Sequence, residues 1–88
     1  MEFIFTSGDG YKMIYNSKEY FLLEGESLGV KATSDILFVV DEEYNYICHV
    51  MGANSFLHEL RSEEKTNFFD TTVNLLKYFL ERSLKHDS

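Results

Sequence analysis

The chain predicts an α+β domain, an antiparallel meander-type sheet of five or six strands packed by one long C-terminal helix. Three observations predict it. Short apolar runs separated by turn residues fill the first half of the chain, and an unbroken apolar run, Ile36–Val40, is followed by a second run at 44–51 across Asp41-Glu42-Glu43. The third is a stripe at helical spacing near the C-terminus, Phe69, Val73, Leu76 and Leu80. A sheet half followed by a helix half is the element order of an α+β fold.

Residues 2–6 and 11–15 are expected as strands around Ser7-Gly8-Asp9-Gly10, whose glycines permit the positive φ of a tight reversal. Asn16-Ser17-Lys18 marks a second turn, and residues 19–23 a third strand. A weaker extended piece follows at 28–32. Ile36–Val40 has the unbroken apolar character of a strand buried on both faces, which places it mid-sheet. In 44–51, alternation puts Tyr44, Tyr46, Cys48 and Val50 on one, more core-like face, and Asn45, Ile47, His49 and Met51 on the other.

Residues 54–61 fit a short helix capped by Asn54 better than an edge strand. The C-terminal helix runs from Asn67 to about Leu84, with Phe68, Leu75 and Phe79 widening its apolar stripe. Asn74, Lys77, Glu81 and Arg82 are its water-facing set. Thr66 or Asp70 is placed to cap its start, and Arg82, Lys85 and His86 sit where the helix dipole favours cations. The chain should fray after Lys85. This element order, and nothing more specific, is similar to that of a pleckstrin-homology domain, so a strongly bent sheet or partial barrel is an alternative architecture.

Eighty-eight residues with 44% hydrophobic and 16% aromatic content make one domain, 1–88, too apolar to remain disordered. The formal charge is −7, and it is uneven: residues 1–64 carry twelve acids and four bases, residues 65–88 three acids and four bases. A polyanion such as DNA or RNA is bound through Lys and Arg, so direct nucleic-acid binding is not expected, and anionic membrane surfaces are disfavoured for the same reason. The single cysteine, Cys48, has no partner for an intrachain disulfide, and no stretch has the composition of a signal peptide or membrane span. A cytoplasmic protein is expected.

Gly8-x-Gly10 lacks the third glycine and following helix of a dinucleotide loop, and no Walker-type Gly-Lys-Ser/Thr occurs. Cys48, His49, His58 and Glu59 carry metal-ligand chemistry, but neighbours on a strand point to opposite faces and no paired-ligand spacing is present. Ser55, His58 and Glu59 would be neighbours on a helix, yet without an elbow or oxyanion loop an ordinary helix surface explains them. Asp41, Glu42 and Glu43 would serve acid/base chemistry only if burial split their pKa values. The expectation is a non-enzyme with no cofactor and no metal.

Six tyrosines and eight phenylalanines exceed what one helix on one sheet face needs. Tyrosine suits a surface where a ring meets a partner and its hydroxyl stays wet, and Tyr11, Tyr15, Tyr20, Tyr44 and Tyr46 are the candidates. The favoured expectation is an acidic protein-binding domain, an inhibitor or antagonist of a basic partner such as a nuclease, in the style of immunity proteins and phage antagonists. Asp41, Glu42, Glu43, Tyr44 and Tyr46 are its expected partner-binding residues. The alternatives are a homodimeric structural or regulatory domain using an apolar sheet face, and a small ligand-binding module.

Overall fold

The computed structural model describes residues 3–6, 10–24 and 35–86. Five strands, β1 (Phe3–Thr6), β2 (Tyr11–Tyr15), β3 (Lys18–Glu24), β4 (Ile36–Val40) and β5 (Tyr46–Met51), lie in chain order across one antiparallel sheet. Two helices follow, α1 (Ala53–Leu60) and α2 (Asn67–His86). The α+β meander is therefore the architecture. Among the described residues β1 and β5 do not pair with each other, so the sheet is not closed. The expected strand at 28–32 and the fraying after Lys85 fall largely outside the described residues, as does most of the turn at 7–10.

Asn16 and Ser17 form the β2–β3 turn with φ of 56° and 64°, and Tyr15 pairs with Lys18 to close it. Two successive positive φ values match the right-handed twist of the flanking strands, which is why the hairpin is tight. Serine tolerates that conformation poorly. Ser17→Gly should stabilise the domain by about 0.5–1 kcal/mol in urea unfolding, whereas Ser17→Val should destabilise it.

Strand pairing separates two faces. Met13, Tyr15, Tyr20, Leu22, Leu37, Val39, Cys48 and Val50 are buried on the inner face against Phe56 and Leu57 of α1 and Phe69, Leu76 and Leu80 of α2. Tyr15 and Tyr20, expected among partner-facing tyrosines, are thus core residues, 1% and 3% exposed. Register explains the difference: Tyr20 pairs with buried Met13, and Tyr15 stands two residues from Met13 on the same face of β2. The Tyr15 hydroxyl donates to Glu81 Oε1 of α2 at 2.5 Å, which also removes Glu81 from the water-facing set.

β4 lies between β3 and β5 as expected, with Leu37 and Val39 fully buried. On its other face the expectation holds only at Val40, 2% exposed between Phe21 and Tyr46. Ile36 and Phe38 are only half-buried, because both helices lie on the opposite side of the sheet.

Residues 53–60 form a helix, and its cap comes from outside it. Gly52 precedes it at φ 84°, and Asp35 supplies the acceptors: its carbonyl takes the N–H of Gly52 at 2.8 Å, and its Oδ1 takes the N–H of Asn54 at 2.7 Å. A methyl group at Gly52 would lie 2.6 Å from the Phe68 ring. In α2, Phe69, Leu76 and Leu80 are buried and Val73 packs beside them, but Phe68 and Leu75 are exposed instead of widening the stripe. Each is turned roughly 100° from Phe69 or Leu76, further round than the sheet reaches. Ser83 Oγ donates to the Ile47 carbonyl at 3.0 Å and ties α2 to β5.

Candidate functional site: the outer sheet face

The face of the sheet turned away from the helices is apolar and aromatic. Pairing places Ile4, Ile14, Phe21, Leu23, Phe38 and Met51 on it, with Lys12 and His49. None of the described helices covers it. Met51 and Ile4 are 58% and 47% exposed on the two edge strands, while Ile14, Phe21, Leu23 and Phe38 between them are half-buried.

The β4–β5 turn brings the expected residues to the end of this face. Asp41 Oδ1 accepts the backbone N–H of Glu43 and of Asn45, both at 2.9 Å, and its Oδ2 accepts from Asn45 Nδ2 at 3.2 Å. The Asn45 amide foremost, then its side chain and the Glu43 amide, hold the Asp41 carboxyl below the usual carboxylate range against partial burial. Asp41 therefore builds the turn. Glu42 and Glu43 are exposed at its tip. Tyr44 follows at φ 64°, a conformation a bulky residue rarely takes, and its ring stacks on Phe21 at 5.3 Å and 7°. Although stacked, Tyr44 stays 65% exposed.

Tyr46 is on the outer face, not the core-like face that simple alternation gives it. An irregularity between Val39 and Val40 pairs Val40 with Tyr46 while Val39 pairs with Cys48, so Ile47 is the extra residue and packs toward the core. The shift carries Tyr46 to the side of His49 and Phe38. Their ring centroids lie 5.8–6.3 Å apart, and the Tyr46 hydroxyl meets His49 Nδ1 at 2.7 Å. Partial desolvation, and after it Cys48, pushes the Tyr46 phenol up. Lys12 Nζ stands 5.7 Å from the centre of the Phe21 ring, the ring on which Tyr44 stacks.

The structure thus brings Tyr44 and Tyr46, beside Glu42 and Glu43, together with Phe21 and Phe38, which the pattern did not single out, and with His49, which it marked only for metal chemistry. Tyr11 lies on the inner side, its ring 5.8 Å from the Arg61 guanidinium carbon. A groove of about 430 Å³ runs beneath the acidic turn, lined by Lys18, Glu19, Tyr20, Asp41, Glu42, Glu43, Ile47 and Leu84. It is open to solvent. The period-two pattern of Lys12/Ile14 and Phe21/Leu23 was the available signal for an apolar second face.

The other chemistry-bearing residues do not assemble. Cys48 is buried in the core, its thiol pushed up to about 11 by burial, while His49 is on the opposite face. Among the described residues no three His, Cys, Asp or Glu side chains group as a metal site would need. Ser55 and His58 share a shallow depression but no hydrogen bond joins them, and Glu59 Oε1 accepts the Thr66 N–H at 2.7 Å. That contact, through the Thr66 hydroxyl and amide, holds the Glu59 carboxyl low and ties α1 to the start of α2. No described helix is long and apolar enough to cross a membrane. No protein family, curated protein or solved structure matches the chain.

Proposed function

We propose that the domain is a non-enzymatic protein-binding module that docks a basic protein partner on its outer sheet face and blocks or sequesters it. The observation that carries this reading is the aromatic outer face, with Tyr44 and Tyr46 more than half exposed beside the exposed carboxylates of Glu42 and Glu43. Stacked rings supply rigid contact area at little entropic cost, and carboxylates at the edge steer a cationic surface toward them. The charge of −7 adds to that steering and opposes polyanionic ligands. An inhibitor of a nuclease or another protein with a basic active site fits this chemistry, and a cytoplasmic setting fits the lone thiol.

Affinity capture from cell extract over a salt gradient tests the reading. A basic protein should be retained at low salt and released as salt rises. Glu42→Lys combined with Glu43→Lys should weaken its retention at least about tenfold, since both steering and rim pairing are reversed. Retention insensitive both to salt and to charge reversal would contradict it.

A further inference from the structure

A second unpartnered stripe lies on α2, away from the sheet. Phe68, Thr71, Leu75, Tyr78 and Arg82 are exposed at successive spacings of three or four, the 3.5-residue repeat with which one helix packs along another. Leu75 is 43% and Tyr78 56% exposed. Leu75 and Tyr78 belong neither to the core nor to the proposed docking face, whereas Phe68 rests on Gly52 at one end of the stripe and Arg82 borders the hollow beside Tyr46 and His49 at the other. The Tyr78 hydroxyl accepts from the Arg82 guanidinium at 3.3 Å, so the polar end of the stripe is already ordered.

We infer that this stripe packs against its own copy, joining two chains through an antiparallel α2–α2 contact about a two-fold axis at Leu75. Charge selects the occupant. Most of the surplus acid lies in residues 1–64, whereas α2 holds two acids, Asp70 and Glu81, and three bases, Lys77, Arg82 and Lys85. Two copies of a strongly negative molecule therefore meet with least repulsion along α2. The antiparallel arrangement is self-complementary: Leu75 meets its equivalent, and Arg82 falls opposite the second copy's Phe68, a cation over an aromatic ring. A parallel pair would set Arg82 against Arg82. Because the outer sheet faces lie on the other side of each chain, the dimer would present both to partners.

The inference stands apart from the docking reading, and the experiment separates them. In sedimentation of the full chain over roughly 5–200 µM, the mass should rise from one chain to two, as a small interface requires. Leu75→Glu should remain a single chain throughout, should melt at the wild-type temperature at the lowest concentration, where both are single chains, because the residue is exposed, and should still bind the partner. Glu42→Lys with Glu43→Lys should still dimerise. In a Cys48→Ala background, Leu75→Cys should oxidise to a covalent dimer, whereas Thr71→Cys, about 12 Å from its mate along the helices, should not. A wild-type chain that stays single at the highest concentration, a Leu75→Glu dimer, or a dimer abolished by the Glu42 and Glu43 reversals would each overturn the inference.

Discussion

Phe56→Ala should take a large share of the domain's stability. The Phe56 ring is fully buried, stacks on Phe69 at 4.7 Å and 5°, and meets the edge of Phe5 at 5.5 Å and 75°. Phe5 and Phe69 also touch, at 6.0 Å, so three rings join β1, α1 and α2. Truncation removes the transfer free energy of the ring and leaves a cavity, costing about 3–5 kcal/mol. A domain of this size has a total stability of roughly 4–13 kcal/mol, so the loss takes a large share of it. Phe56→Leu should cost about 1–2 kcal/mol, because much of the volume is kept. Leu75→Ala, at an exposed position, should change stability by no more than about 0.5 kcal/mol. Urea unfolding followed by far-UV circular dichroism checks all three, and equal effects at positions 56 and 75 would contradict the assigned core.

Alkali should destabilise the fold from about pH 9 upward, beginning before the lysines titrate. Two core groups hold their protons more tightly when folded: burial pushes the Cys48 thiol from 9.0 to about 11, and the Glu81 hydrogen bond, then burial, pushes the Tyr15 phenol from 10.0 to about 12. Below pH 9 both are protonated in the folded and unfolded chain alike, and their stabilising contribution is complete. As pH rises from 9 through 11 the unfolded chain releases the Cys48 proton while the folded chain keeps it, so stability falls. Tyr15 repeats this from pH 10 through 12. At about 1.4 kcal/mol per pKa unit, each group accounts for up to roughly 2–3 kcal/mol. Cys48→Ala should flatten the first part of the decline and Tyr15→Phe the second, the latter also costing about 1–2 kcal/mol at neutral pH through the lost hydrogen bond. Urea unfolding at pH 8, 9, 10 and 11 measures the decline. A wild-type stability constant over that range would show that neither group is buried as described.

Sequence patterning discloses the elements because periodicity is a local property. The stripe of Phe69, Val73, Leu76 and Leu80 marks α2, and the Asn16-Ser17 turn marks the β2–β3 hairpin. What patterning misses are choices made by partners distant in the chain. Lys12 and Ile14 alternate with Met13 and Tyr15 without declaring which set the helices will cover, so Tyr15 passes for a surface residue until Glu81 is placed beside its hydroxyl. The extra residue at Ile47 has no local signature, yet it decides the side of the sheet on which Tyr46 lies. Asp35 resembles a turn residue until its carboxylate is found capping a helix that starts eighteen positions later. Of the candidate site, Glu42, Glu43 and Tyr44 follow from a polar loop between two strands. Asp41 also belongs to that loop, but its inward hydrogen bonds make it a scaffold for the others. Phe21, Phe38 and Met51 join the site only through cross-strand pairing.

The docking face itself is tested most directly by nuclear magnetic resonance on isotope-labelled domain titrated with the basic partner captured at low salt. The backbone and side-chain signals of Phe21, Phe38, Tyr44, Tyr46 and Met51 should shift or broaden, and those of Phe68, Leu75 and Tyr78 should not. Changes confined to α1 and α2, with the outer sheet face unmoved at saturation, would contradict the account.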